Sequence, residues 1–179
     1  MAERKRRTAE EARRIRAAAQ NTVGLNYLRQ GRNREALAAF EQVLADDPAN
    51  TKALMGRGVA LARTGRFDAA LDAAEELRRL DGDSGRVHNT LATIYEYMGR
   101  LEEGRAEFEH ALALEPDDAA HSYNFACYWA RRGDGAKVRE HLAEALRLNP
   151  ASNAFAATDV DFAPFRNEEW FQELVAFKK

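Results

Sequence analysis

Glycine recurs at positions 31, 65, 99 and 133, and the residue that closes each interval is Pro48, Gly82, Pro116 or Pro150, so both series step by 34 residues. A fixed period of this length means a stack of copies of one structural unit, which settles the architecture before any other feature is read. Units at 17–50, 51–84, 85–118 and 119–152 cover about three quarters of the chain. Four copies are enough to bury a continuous core.

Within a unit, helical spacing of apolar residues appears twice, with a break at the glycine. In the first unit Val23, Gly24 and Tyr27 share one face; Gly31 interrupts; Ala36, Leu37, Phe40, Val43 and Leu44 form a second stripe. Each unit therefore reads as a helical hairpin. Glycine suits the turn because it takes the left-handed conformation that ends the first helix. Asn50, Asp83 or Ser84, Asp117 or Asp118, and Ser152 or Asn153 follow the closing residues, where a side-chain oxygen can cap the next helix.

The first unit carries Gly24, Tyr27, Ala36, Phe40 and Pro48, and the third carries Leu91, Ala92, Tyr95, Phe108, Ala111 and Pro116. With Gly58, Leu61 and Ala70 in the second unit and Phe125, Ala126, Trp129, Ala145 and Pro150 in the fourth, this pattern resembles the tetratricopeptide repeat, in a bacterial type of array. The family's early tryptophan is replaced by Gln20, Leu54, His88 and Ser122. The fold expected is all-α, a right-handed α-solenoid (α-α superhelix) of such hairpins.

Helix formers dominate and no β-branched run suggests a sheet. One cysteine, Cys127, excludes an intramolecular disulfide and fits a reducing, cytoplasmic home. Residues 1–16 hold seven Lys or Arg against three Glu, which leaves the rest of the chain about six units acidic within a net charge of −2. That balance argues against a solenoid body that grips nucleic acid, and membrane contact is expected only through the basic N-terminus. This extension is read as flexible at first and helical from about residue 9, with Thr8 and Glu11 as a capping box.

The segment 153–179 does not repeat and is rich in aromatics: Phe155, Phe162, Phe165, Trp170, Phe171 and Phe177. It is expected to cap the stack, with a terminal helix over about 168–177 that Asn167 caps and Lys178 and Lys179 close.

No catalytic constellation, cofactor motif or metal site emerges. His88, His110, His121 and His141 lack the i, i+4 spacing of a helical zinc motif, and only His110 and His141 are expected to approach each other, across neighbouring second helices. Cys127 has no histidine one turn away to activate it. An enzyme is therefore not expected.

In the family, first helices line a concave groove. Carried onto this chain, the resemblance implies a partner-binding surface made of Asn21, Arg29, Lys52, Arg63, Arg86, Asn89, Tyr97, Tyr123, Asn124 and Arg131. Arg29, Arg63 and Arg131 share one repeat position, with Tyr97 in the third unit, and such a row can hold carboxylates in bidentate fashion. The leading expectation is a non-enzymatic adaptor or assembly factor that binds a protein or peptide segment, with acidic groups on it. The alternatives are a small cytoplasmic chaperone of secreted or membrane-bound subunits, and a scaffold that self-associates.

Overall fold

A computed structural model describes residues 2–176, with side chains from residue 7 onward. Phe177, Lys178 and Lys179, and the side chains of Arg4, Lys5 and Arg6, lie outside the described residues. Helix α1 (Ala2–Arg29) pairs with α2 (Asn33–Asp46), α3 (Thr51–Arg63) with α4 (Phe67–Asp81), α5 (Gly85–Tyr97) with α6 (Leu101–Leu114), and α7 (Ala119–Ala130) with α8 (Gly135–Leu148). First helices pack side by side, α1 on α3, α3 on α5 and α5 on α7, and each second helix also meets the first helix of the next hairpin. The result is an α-solenoid, and there is no strand among the described residues.

The period in the sequence is a period in hydrogen bonding. Gly31, Gly65, Gly99 and Gly133 have φ of 72, 76, 79 and 73°. After each one the chain turns back in the same way, as in the bonds from Arg32 N to Tyr27 O (2.8 Å), Arg66 N to Leu61 O (2.9 Å) and Arg100 N to Tyr95 O (2.9 Å). These are Schellman closures, which need a left-handed residue at that place. Asn50, Ser84 and Asp118 cap α3, α5 and α7 by accepting from the backbone N–H of Ala53, Val87 and Ala120.

Packing is set by aromatics against glycines. Phe40 is fully buried, and Cβ atoms added at Gly24 and Gly56 would lie 2.7 and 2.2 Å from its ring. The absent side chains are therefore what let the phenyl of α2 wedge between α1 and α3. In the third hairpin Phe108 is likewise fully buried and stacks on Phe125 of the fourth at 5.1 Å.

Two termini differ from the sequence reading. Helix α1 begins at Ala2 rather than near residue 9, so Thr8 and Glu11 lie inside it. Ala, Glu, Arg and Lys at positions 2–7 are all strong helix formers, and their propensity extends the helix past the capping box. Residues 7–16 are all exposed. At the other end α10 spans Glu169–Val175, with Glu168 rather than Asn167 as the capping residue and no side-chain cap bond. A 3-10 turn (Pro150–Ser152), α9 (Asn153–Ala156) and a 3-10 segment (Val160–Phe165) precede it. Phe162, Phe165 and Phe171 are buried against Ala126, Ala130, Val138 and Leu142 of the last hairpin.

Candidate functional site

The first helices enclose a cavity of about 460 Å³ on the concave side. Nine of the ten residues expected to bind a partner line it: Asn21, Arg29, Lys52, Arg63, Arg86, Asn89, Tyr123, Asn124 and Arg131. The tenth, Tyr97, packs behind the wall, against the core of the first three hairpins. Repeat spacing puts these side chains on one face because each first helix presents the same register inward.

The arginine row is not open, however. Arg63 donates Nη1 to Leu28 O at 2.6 Å and Nη2 to Asp161 at 2.9 Å, and both members of that ion pair have side chains only 10% exposed. Arg131 donates Nη1 to the same Asp161 oxygen at 2.5 Å and grips Glu96 with Nε (2.8 Å) and Nη2. Arg132 adds a third bond to Glu96 at 2.7 Å. Tyr97 lies between the guanidinium carbons of Arg63 and Arg131, which are 5.6 and 5.4 Å from its ring centre. Arg29 sits over Phe155 at 4.1 Å.

The expectation that this row receives a partner's carboxylates is thus corrected for Arg63 and Arg131, to which the chain supplies the carboxylate itself, whereas Arg29 has no carboxylate partner among the described residues. Burial works against charge on Arg131, but the Glu96 hydrogen bonds and the charges of Glu96 and Asp161 outweigh it and raise its pKa. The residues that sequence reasoning missed are Asp159 and Asp161. The tail folds back so far that Val160 lies beside Gly31 of the first hairpin, where a Cβ added to that glycine would stand 3.8 Å from the valine side chain. A repeat period carries no information about where a non-repeating tail goes. The available signal was the row itself, since three stacked arginines need counter-charge.

Tyr123 belongs to the same closure. Its hydroxyl donates to Asp159 at 2.9 Å, its ring meets Phe162 edge-on at 5.6 Å, and burial raises its pKa. Burial, then the neighbouring Asp161 charge, also raises the Asp159 carboxyl above the ordinary range.

The other end of the cavity offers polar groups. Asn89 is 2% exposed, and its Oδ1 is buried without a hydrogen-bond partner. Asn21 donates to the capping Asn50 at 3.1 Å, and its own Oδ1 is unpartnered. Asn124 is half-buried and Lys52 exposed. Among the described residues no carboxylate pairs with Lys52, whereas Arg86 is held bidentate by Asp81 at 2.7 and 2.9 Å with its side chain 40% exposed.

Cys127 lines the cavity but is not a reactive thiol. Burial, and then the charges of Asp159 and Asp161, push its pKa well above the usual thiol range. We expect the native protein to resist alkylation at mildly alkaline pH and to react fully in denaturant, as mass spectrometry would show; rapid native labelling would contradict this burial.

The histidines also depart from expectation. His110 meets His88 of its own hairpin, ring centres 4.1 Å apart, and His141 instead packs on Phe125 at 4.5 Å. Among the described residues no helix is long and apolar enough to cross a membrane.

Comparison with known proteins gives one answer. Two models of the tetratricopeptide repeat match, over residues 24–84 and 61–124. Among curated relatives, the TPR repeat-containing thioredoxin TTL4 of Arabidopsis thaliana is 34% identical over 77 residues, which are 43% of this chain and 11% of that protein. The antiviral innate immune response effector IFIT1 of Homo sapiens is 31% identical over 134 residues, 68% of this chain and 27% of that protein. The chain therefore spans only a small part of these relatives' length. Among solved structures, TTC0263, a thermophilic TPR protein of Thermus thermophilus, superposes with a TM-score of 0.54 at 21% identity, covering 78% of this chain and 77% of that one. The Cut9-Hcn1 hetero-tetramer of APC/C gives 0.55 at 18% identity, over 89% of this chain and 32% of that one. These likenesses concern the fold.

Proposed function

We propose, from the premise that the chain belongs to the tetratricopeptide repeat family, that it is a non-enzymatic adaptor or assembly factor that holds an extended, acidic segment of a partner protein in its concave groove. Tetratricopeptide repeats serve in general as protein-interaction modules, and that much rests on the family. The finer reading rests on one observation: a cavity of about 460 Å³ in which Asn89 is buried with its carbonyl oxygen unpartnered while Lys52 stands exposed at the rim.

An unmet buried acceptor costs about 1–3 kcal/mol, and a backbone N–H from an extended segment would relieve it. Asparagine both donates and accepts, so Asn21, Asn89 and Asn124 match the alternating groups of an extended backbone with little demand on sequence. Because Asp161 already engages Arg63 and Arg131 and Asp81 holds Arg86, the partner's carboxylates fall to Lys52 and Arg29, which no carboxylate engages among the described residues.

The test is fluorescence anisotropy with labelled extended peptides of acidic, neutral and basic composition. The acidic set should bind most tightly and weaken with salt. Lys52→Glu, at an exposed position, should reduce acidic-peptide affinity about fivefold or more, roughly 1 kcal/mol. Preference for basic peptides, or indifference to Lys52→Glu, would contradict the proposal.

A further inference from the structure

Away from the groove, the third hairpin gathers donors that no sequence spacing announces. His88 on α5 has only 8% of its side chain exposed and faces a carboxylate at each ring nitrogen: Glu107 Oε2 lies 2.6 Å from Nδ1 and Asp83 Oδ1 lies 2.9 Å from Nε2. A neutral imidazole has one N–H and one lone pair. It can donate to one of these carboxylates, and the other nitrogen then faces an anionic oxygen, a position that either a second proton on the ring or a metal cation held by both groups would satisfy. Glu107 and His110 are three residues apart on α6, the spacing that places both on one helix face. One nitrogen of each histidine and one Glu107 oxygen all lie within 4.8 Å of one another.

Two imidazoles and a carboxylate are the donor set of three-ligand zinc sites, which keep a fourth position open. Imidazole favours zinc, copper or nickel over magnesium or calcium. The contact from His88 Nε2 to Asp83 is the outer hydrogen bond that metal-ligating histidines make, and it frees Nδ1 as the ligand atom. We propose that His88 Nδ1, Glu107 and His110 bind a zinc-class divalent cation that bridges α5 and α6, with Asp83 as the positioning residue and the open coordination position at the exposed His110. Two other donor groups do not match it. Glu115, Asp118 and His121 offer a single nitrogen ligand, and Cys127, Asp159 and Asp161 lie against Arg63 and Arg131, whose charges oppose a cation.

The whole chain, stripped with chelator, is titrated with Zn²⁺ by calorimetry near neutral pH, where the ligands are deprotonated. One equivalent should bind saturably. His110→Ala, at an exposed position that leaves the circular dichroism spectrum unchanged, should abolish that binding, and Glu107→Gln should do the same. Asp83→Asn should weaken it about 10–100-fold, the usual effect of losing an outer hydrogen bond. His141→Ala should leave it intact. Absence of saturable binding up to millimolar Zn²⁺, or binding that survives both His110→Ala and Glu107→Gln, would overturn the assignment.

Discussion

Phe40→Ala is expected to cost about 3–5 kcal/mol of folding stability, the range for emptying a fully buried phenyl site. The ring is completely enclosed, and the two glycines that face it have no side chains with which to refill the space. The same geometry makes Gly56→Ala damaging in the opposite sense, because its methyl would sit 2.2 Å from the ring and force it aside. Overpacking of this kind costs about 1–3 kcal/mol and can exceed that. The two changes should not add. In a Phe40→Ala background the Gly56 methyl enters the vacated space, so the double variant should lie close to Phe40→Ala alone. Urea melts of the four proteins give the coupling energy. Additive losses would mean that Phe40 and Gly56 do not share one packing site.

Asp161→Leu is expected to cost about 3–5 kcal/mol, the range for stripping one partner from a buried ion pair. The loss leaves Arg63, nearly enclosed, with only the Leu28 carbonyl and the Tyr97 ring, while Arg131 keeps Glu96. Arg63→Met added to Asp161→Leu removes both charges and should restore most of the stability, because desolvating the pair offsets much of its mutual attraction. If Asp161→Leu alone cost less than about 1 kcal/mol, the pair would be behaving as a solvated surface bridge and the tail would not close the groove.

The repeated part of the fold was legible because its constraints are local and recur. Gly31, Gly65, Gly99 and Gly133 mark backbone turns that only a left-handed residue closes, and Asn50, Ser84 and Asp118 mark the caps that follow. Periodicity also gathered nine polar residues into one cavity, since equal register on parallel helices means equal direction. What failed has no period. The tail binds Arg63 and Arg131 through Asp161, and nothing in the local pattern around Asp161 says that it travels back to the second hairpin. The start of α1 was misplaced because propensity over residues 2–7 outweighed the capping signal of Thr8. The pairing of His88 with His110 joins two helices of one hairpin, a contact that spacing along a single helix does not show.

The closure by Asp161 also decides which variants can probe function. Substitution at Arg63, Arg131 or Tyr123 disturbs the tail, and lost binding would then report folding rather than contact. Lys52 and Asn124 are free of that ambiguity, since neither is among the side chains that hold Asp159 and Asp161 of the tail. The most direct measurement is capture from native cell lysate by the wild-type protein beside Lys52→Glu/Asn124→Ala, with matched circular dichroism, and anisotropy of the acidic segments of whatever is retained. Groove binding predicts a protein held by the wild type and lost by the variant, one of whose acidic segments binds alone. Equal retention by both proteins would contradict it and move the working surface off the concave face.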